Sequence, residues 1–287
     1  MVRLAHRLRS WPLHLFLLLC AAATIFPLVN ILAMSLSSSR AIIAGEVTLL
    51  PVEFNVMAYE RLFRDGQLLV ALKNTVFITL IGTLLHMIAT TPAAYSLAKR
   101  RLKGRAVFTF MVLFSMLFGT GLIPLFLLVK QLHLINTFWA IWLPGLVSAY
   151  NLFVMKSFFE GLPPELEESA TIDGASDLTL FFRLTLPLSK AILAAISLFY
   201  AVALWNTYAN ALYFISRSEL LPVTVKLYQM LQTPLDALIG GGDSSLYIQP
   251  EGLKAAAIII TVAPILAVYP FLQKHFVKGV LIGSVKG

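Results

Sequence analysis

Charged residues are scarce in this sequence and make up only 13% of its 287 residues. An ordinary soluble domain carries about 25% charged residues, so this composition excludes that class. Hydrophobic residues make up 59%, and several apolar runs exceed the roughly 18 residues that indicate a membrane-spanning segment. Because lipid offers no hydrogen bonds to the backbone, these runs predict an all-α membrane protein.

Cysteine is nearly absent as well, since Cys20 is the single one. One cysteine excludes an intrachain disulfide and a Cys-rich metal site. The apolar run around it extends from Leu13 to about Leu36, which is too long for the core of a cleaved signal peptide. We therefore expect Cys20 to be a buried thiol in a retained helix.

The sequence also lacks the residue groupings that bind cofactors or carry out catalysis. It contains no GxxxxGK[ST] motif, which would cradle the phosphates of ATP. No grouping of His, Cys, Asp or Glu suggests a metal site or a nucleophile. We therefore expect no catalytic, cofactor-binding or metal-binding residue in this chain, and the sequence argues against an enzyme.

Six apolar runs predict six transmembrane helices within a single membrane domain, 1–287. Their approximate bounds are 12–36, 69–97, 106–129, 137–159, 189–213 and 253–273. The net charge of +8 lies in short clusters beside these runs, not in a nucleic-acid-binding pattern. Because Lys and Arg favour the cytoplasmic side, their distribution predicts that both termini and the loop 160–188 are cytoplasmic.

The loop 160–188, which we call the acidic loop, contains six of the fourteen carboxylates in the chain. Pro164 suits the first turn of a helix, where the helix dipole favours Glu165 and the acids that follow it. Gly174 can end this helix in a left-handed conformation. Ser176 can cap a second helix. The pattern therefore predicts two short helices in the acidic loop.

The second predicted helix places Leu178, Phe181 and Phe182 on one face, together with Thr185. Burying each large apolar side chain contributes roughly 1.5–3 kcal/mol. A cytoplasmic helix with such a face packs on its own bundle or docks in the groove of a partner. In an interpretation that stays equally open, the phenylalanines rest on the bilayer surface and the acids are solvated.

The spacing within the acidic loop resembles the EAA motif of the membrane subunits of ABC importers. ESA (168–170) is followed by three residues and Gly174, then by nine residues and LTLP (184–187). The family consensus reads EAA, three residues, G, nine residues, I, one residue and LP, so Ser169 and Leu184 are mild departures. The loop precedes the fifth of six spans, as in maltose-type carbohydrate permeases, and the resemblance covers essentially the whole chain.

The resemblance implies that the acidic loop acts as a coupling helix. In this family the loop sits in a cleft of a separate ATPase subunit, where the position of Glu168 pairs with a basic residue. Closure of the ATPase dimer then drives alternating access, so ATP and Mg would be held by the partner subunits. The residues implied in coupling are Glu165, Glu168, Asp173, Gly174, Leu178, Phe181, Phe182, Leu186 and Pro187.

The resemblance also implies the other components of such a system. These are a second homologous permease subunit, an ATPase dimer and a periplasmic or extracellular solute-binding protein, all assembled at the bacterial inner membrane. Further segments look like the branch of sugar permeases that takes oligosaccharides from polysaccharides such as alginate. The charge of the outer segments is balanced, so an acidic substrate is indicated by the resemblance alone.

A polar and aromatic stretch in the fifth predicted span is the candidate substrate path. On a continuous helix, Asn206, Asn210 and Tyr213 would share one stripe, with Trp205 and Tyr208 on a neighbouring one. Aromatic rings would suit stacking on a sugar. Asparagines that hydrogen-bond between helices are the simpler alternative.

Other classes of function fit the sequence less well. A self-contained secondary transporter typically needs ionisable groups within its spans, and no Asp or Glu lies in a predicted span. A purely structural protein would leave the acidic loop unexplained. An ABC permease for a solute other than a sugar is the alternative that the residues leave open.

Overall fold

The computed structural model describes residues 2–232 and 250–283, with side chains described for 12–232 and 250–267. Within these ranges the chain is helical and contains no strand. The helices, in chain order, are α1 (Val2–Ser35), α2 (Ser39–Ile43), α3 (Met57–Asp65), α4 (Gln67–Ala98), α5 (Arg105–Leu117), α6 (Leu122–Gln131), α7 (Trp139–Trp142), α8 (Ala149–Glu160), α9 (Pro164–Ile172), α10 (Asp177–Leu188), α11 (Lys190–Trp205), α12 (Ala209–Phe214), α13 (Val223–Gln232) and α14 (Pro250–Gly283).

Three helical segments are long and apolar enough to cross a membrane, namely Pro12–Ser35 in α1, the whole of α4, and Pro250–Ala267 in α14. Two further pairs qualify only if each bent pair counts as one span, since α5 and α6 meet at 115° and α10 and α11 at 82°. The described residues therefore hold three candidate spans, or up to five. The long helices coincide with the first, second and sixth predicted spans.

The other three predicted spans are not continuous helices, which corrects the sequence-based prediction. The span 106–129 bends between α5 and α6, where Gly121 has a φ of 74°. The span 137–159 is divided into α7 and α8 around Pro144, which donates no amide proton and disfavours a continuous helix. The span 189–213 is interrupted after Trp205. Hydropathy averages over such breaks, so it could not locate them.

His86 of α4 and Tyr200 of α11 bind backbone groups next to the breaks between helices. The Nε2–H of His86 donates to the carbonyl of Trp142, at the end of α7, over 3.1 Å. The hydroxyls of Thr90 and Tyr200 lie 2.7 Å apart, and that of Tyr200 accepts from the amide of Ser148, before α8, at 2.9 Å. Because an unpaired polar group in an apolar interior is costly, these contacts stabilise the broken helices.

The apolar core beside the acidic loop is built by α4, α8 and α11. Its buried side chains include Tyr95, Leu152, Met155, Phe159 and Ile196. Phe181 of α10 belongs to the same cluster. The core therefore fixes where the acidic loop lies on the helices behind it.

The chain divides into two compact units, Met1–Leu69 with Lys226–Pro264, and Val70–Val225 with Ile265–Gly287. In the first unit the hydroxyls of Ser35 and Tyr59 lie 2.7 Å apart, which joins the end of α1 to α3. The second unit contains the acidic loop and the core beside it. The description of the chain as a single domain stays a prediction.

Cys20 is exposed, which corrects the expectation of a buried thiol. All of residues 12–28 in α1 are exposed in this chain. A membrane helix can present apolar side chains to lipid or to another subunit, so a hydrophobic run does not by itself predict burial.

Gly82 on α4 allows Trp142 and Leu204 to approach closely. A Cβ atom at this position would lie 2.7 Å from Nε1 of Trp142 and 2.8 Å from Cδ1 of Leu204. We predict that Gly82→Ala lowers the free energy of unfolding by about 1–3 kcal/mol, because overpacking forces neighbouring side chains apart. Unfolding of the purified protein in detergent measures the change. Gly119→Ala, whose added Cβ meets nothing within 4 Å, is the control, and equal stability of the two variants would contradict the prediction.

Candidate functional site

The first helix of the acidic loop forms as its sequence predicts. Helix α9 begins at Pro164 and carries Glu165 and Glu167 in its first turn, where negative charge is favoured. Gly174 follows the helix with a φ of 82°, a conformation that glycine adopts without strain. The side chain of Ser176 then accepts a hydrogen bond from the amide of Thr179 and caps α10, as expected.

Three of the six loop carboxylates form ion pairs with basic residues of the same chain. We call these three, Glu160, Glu167 and Asp177, the inner acidic set. Their main partners are the basic cluster at residues 99–105, which directly follows α4. The inner acidic set therefore attaches the loop to the end of α4, a role that the sequence analysis had not assigned to any of these acids.

Lys99 is the most enclosed member of the basic cluster that takes part in these pairs. Its ammonium group bonds Glu167 and also lies 4.2 Å from the centroid of the Tyr95 ring. The side chains of Lys99 and Glu167 are only 19% and 34% exposed. An ion pair that is partly shielded from water is screened less by salt than an exposed one. This pair is therefore a strong candidate for positioning α9.

Four more ion pairs hold the start of the loop and the start of α10. Arg101 bonds Asp177 at the start of α10 and lies 3.8 Å from Glu167. Glu160, where the loop begins, bonds Arg105 and lies 2.9 Å from Lys156. Partial burial raises the pKa of the Glu160 carboxyl, but the hydrogen bonds and charges of Lys156 and Arg105 outweigh it, so that its pKa lies below the ordinary value.

The remaining three carboxylates of the loop stay exposed. We call Glu165, Glu168 and Asp173 the outer acidic set; all three are exposed, and none forms an ion pair within the part of the chain that the structure describes. Ile172, at the end of the same helix, is 86% exposed. The outward side of α9 thus combines negative charge with exposed apolar surface.

Helix α10 does not present all its large apolar side chains on one outward face, which corrects the prediction. Phe181 is 8% exposed and packs on Tyr95 with ring centroids 4.9 Å apart, and Thr185 is buried as well. Leu178 and Phe182, by contrast, are 70% and 61% exposed. Residues 180–185 adopt π-helical hydrogen bonding, which alters the register that an α-helical wheel assumes. Phe181 therefore packs on the bundle of its own chain, whereas Leu178 and Phe182 are left exposed.

The two residues that end the motif lie where α10 meets α11. Leu186 is partly buried against the core, and Pro187 is exposed. The sequence-based set of coupling residues therefore separates into inward members, Phe181 and Leu186, and outward members that are free to contact another molecule.

The candidate substrate path is divided by the break after α11. Asn206 lies just past the end of α11, and its side chain donates to the carbonyl of Val202 at 2.8 Å. Asn210 and Tyr213 belong to α12, which begins at Ala209. The three residues therefore do not share one continuous helical stripe, because the chain leaves the helix between them. This corrects the geometry that the sequence had suggested.

The two aromatic residues of the candidate path occupy different surroundings. Tyr208 packs against a cluster that includes Ile78, Trp142 and Leu204. The indole N–H of Trp205 is buried and has no hydrogen-bond partner among the described residues. Within the same residues, no group of three or more His, Cys, Asp or Glu side chains could hold a metal ion.

Comparisons with known proteins give this arrangement a context. Residues 88–282 match the family described as binding-protein-dependent transport system inner membrane component. Over 274 residues the chain is 43% identical to Protein LplC of Bacillus subtilis (strain 168), covering 95% of this chain and 93% of that protein. It is 39% identical over 284 residues to the polygalacturonan/rhamnogalacturonan transport system permease protein YtcP of the same organism, covering 98% and 99%.

A solved structure is similar to the whole fold. It is the crystal structure of a bacterial ABC transporter involved in the import of the acidic polysaccharide alginate. The match has a TM-score of 0.88 and 32% sequence identity, and it covers 95% of this chain and 98% of that one.

The ion pair between Lys99 and Glu167 can be tested by charge reversal. We predict that Lys99→Glu and Glu167→Lys each destabilise the protein, because each leaves a partly shielded charge beside a like charge. The double variant, which restores an opposite-charge pair, should regain stability, with a coupling energy of about 0.5–3 kcal/mol in a double-mutant cycle. Unfolding in detergent measures all four proteins. Additive effects of the two substitutions would show that the pair does not hold α9.

Proposed function

The chain belongs to the family of binding-protein-dependent transport system inner membrane components, and we propose that it is the membrane-spanning subunit of an ATP-driven importer of oligosaccharides. The observation that carries the proposal is the two-sided acidic loop, which lies inside the matched residues 88–282. One side of the loop is joined to the helices of its own chain. The other side presents free carboxylates and apolar side chains to another molecule.

The outward side is the docking surface for an ATPase subunit in this proposal. The outer acidic set supplies charge for basic side chains of the ATPase. Ile172, Leu178 and Phe182 supply exposed apolar area that a cleft can cover. Fully burying one such side chain contributes roughly 1.5–3 kcal/mol, so three side chains together make a substantial anchor. The nucleotide and its Mg ion are then bound by the ATPase, and this chain converts its movement into transport.

The inward side transmits that movement to the membrane helices. The ion pairs of the inner acidic set connect the loop to the end of α4 and to α8. Phe181 inserts into the core formed by α4, α8 and α11. A close-packed core moves as a unit because it resists compression. A force on the outward side of α9 or α10 therefore reaches these three helices without deforming the loop.

The topology that fits this mechanism has six crossings with both termini in the cytoplasm. The three long helices account for three crossings, and the bent pair α5–α6 together with the interrupted segments α7–α8 and α11–α12 would supply the others. Interrupted helices are found in transporters where backbone lines a cavity. The exposed apolar surface of α1 and α5 fits contact with lipid and with a second, homologous permease subunit. A solute-binding protein would deliver the oligosaccharide to the outer side.

The proposed solute is an oligosaccharide that carries carboxylate groups. Two similar proteins support this choice, namely the 39% identical polygalacturonan/rhamnogalacturonan permease and the 32% identical chain of the alginate transporter. The residues of the candidate substrate path lie around the break between α11 and α12. They are Trp205, Asn206, Tyr208, Asn210 and Tyr213. An interrupted helix with amide and aromatic side chains is suited to hydrogen-bond and stack on a sugar, so we retain these residues as the proposed path.

Docking through the outer acidic set predicts a defined effect of Glu168→Lys. Reversing this charge places a cation against the basic side chain of the ATPase, and breaking one buried ion pair costs about 3–5 kcal/mol. We therefore expect the ATPase to co-purify poorly with the variant and solute-stimulated ATP hydrolysis to be lost. Co-purification and phosphate release from the reconstituted complex measure these effects.

Glu60→Lys provides the control for this substitution. Glu60 is also an exposed glutamate on a helix, but it belongs to α3 in the other compact unit. Its reversal should leave the amount of bound ATPase unchanged. Full co-purification and full stimulation in Glu168→Lys would contradict the docking proposal.

The choice of solute predicts which sugars stimulate the complex. With its binding protein present, oligogalacturonides should raise ATP hydrolysis of the reconstituted importer severalfold. Neutral oligosaccharides of the same length serve as the comparison, since they lack the carboxylates. Stimulation by neutral sugars and not by oligogalacturonides would assign the importer to another carbohydrate, and no stimulation by any sugar would remove support for an oligosaccharide.

A further inference from the structure

A cavity of about 1000 Å³ lies beside the acidic loop, between α4 and the helices α10 and α11. This volume is at the upper end of the roughly 300–1,000 Å³ that ligand pockets occupy. Apolar side chains from both walls dominate its lining. They include Met87, Ile88, Phe181, Phe182, Leu186 and Leu193.

The cavity changes character along α4. One face of this helix lines it from Met87 to Ser96, and these nine steps correspond to a rise of roughly 14 Å. Met87 and Ile88 make one end apolar, while Lys99 and two further bases of the basic cluster lie at the other end. The cavity is therefore a long amphipathic slot, with its charged end where α4 leaves the apolar region.

Lys103 is the base at the charged end that is not used by the protein itself. The neighbouring cations Lys99 and Arg101 pair with Glu167 and Asp177. Arg101 thereby also neutralises Asp177, the single carboxylate among the residues that line this cavity. Lys103 is exposed and forms no ion pair among the described residues. The mouth of the slot therefore carries a positive charge available for an anion.

We propose that this slot binds one anionic phospholipid, with its phosphate at Lys103 and its acyl chains along Ile88 and Leu193. The charge requires an anion, and the apolar length requires a long hydrocarbon chain on that anion. Basic pockets between membrane helices on the cytoplasmic side bind such head groups. A free phosphate would satisfy the charged end only and would make no contact with the apolar walls. The inference rests on the chain being a membrane component and is independent of the solute.

The bound lipid has a consequence for the acidic loop. Phe181 and Leu186 of α10, the two side chains that also pack on the core, form part of the slot wall. An acyl chain against them covers apolar surface next to the docking side of the loop. Lipid binding should therefore hold α10 in place and support the coupling surface between the membrane helices and the ATPase.

The test compares two charge reversals in the same basic cluster. Lys103→Glu removes the free cation of the slot. Arg100→Glu is the matched control, because Arg100 is likewise exposed and outside any described ion pair, but it lines a neighbouring groove beside α9 and not the slot itself. The delipidated complete importer is titrated with phosphatidylglycerol or with phosphatidylcholine of the same acyl chains, and bound lipid is counted by native mass spectrometry. Lipid counting does not require transport. A failure of the lipid proposal can therefore be distinguished from a failure of the proposed transport function.

We expect the wild-type protein to bind phosphatidylglycerol more tightly than phosphatidylcholine. Lys103→Glu should weaken phosphatidylglycerol binding by at least about fivefold, the effect of one interfacial lysine, whereas Arg100→Glu should not. Ile88→Trp, which fills the apolar part of the slot, should weaken binding of both lipids. Thermal unfolding of each variant checks that the fold is retained.

Three outcomes would overturn the proposal. Equal binding of the two lipids by the wild-type protein would remove the role of charge. Equal effects of Lys103→Glu and Arg100→Glu on phosphatidylglycerol binding would show that the preference for this lipid comes from the overall positive charge of the surface and not from the slot. Full displacement of phosphatidylglycerol by inorganic phosphate would assign the site to a free anion.

Discussion

The position of the acidic loop depends on the ion pairs between the inner acidic set and the basic cluster that follows α4. Without them, five cations within residues 99–105 would repel one another beside a loop whose own carboxylates also repel. Pairing neutralises Lys99, Arg101 and Arg105 together with the inner acidic set, and it positions α9 and α10 over the core. It also leaves the three carboxylates of the outer acidic set available to a partner. One electrostatic arrangement thus serves both the fold and the proposed docking surface.

The same helix that holds the loop also makes the broken spans possible. α4 contributes His86 and Thr90, which take part in the hydrogen bonds that join the ends of α7 and α8 to the bundle. Close approach at Gly82 brings Trp142 and Leu204 against it. A membrane interior penalises free backbone groups, so helix breaks require partners of this kind. α4 therefore connects the interrupted helices, the core and the acidic loop into one mechanical element.

This arrangement explains how a force on a surface loop can act on membrane helices. The loop contacts the core through Phe181 and the end of α4 through Lys99, so two different interactions, one apolar and one ionic, oppose its displacement. The lipid slot adds a third support from the membrane side. In this view the coupling surface is a rigid part of the bundle, which suits a subunit that is moved by its ATPase.

The family match confirms the function that the motif spacing in the acidic loop had indicated. The structure confirms the two predicted helices of this loop, the left-handed conformation of Gly174 and the cap at Ser176. These features depend on local rules, in which a residue and its neighbours within one turn decide the conformation. Helical wheels failed at α10 and at Asn206, because a π-helical segment and a helix break change the register on which such wheels depend.

The sequence by itself determined that the chain is a helical membrane protein, where its long apolar helices lie, and that one loop concentrates its acid. Composition and spacing suffice for these properties because lipid and the helix dipole act on each segment separately. Only the tertiary structure decided which carboxylates are paired, which phenylalanine is buried, and where the apolar slot meets Lys103. Those outcomes depend on distances between segments far apart in the chain, and no local pattern contains that information.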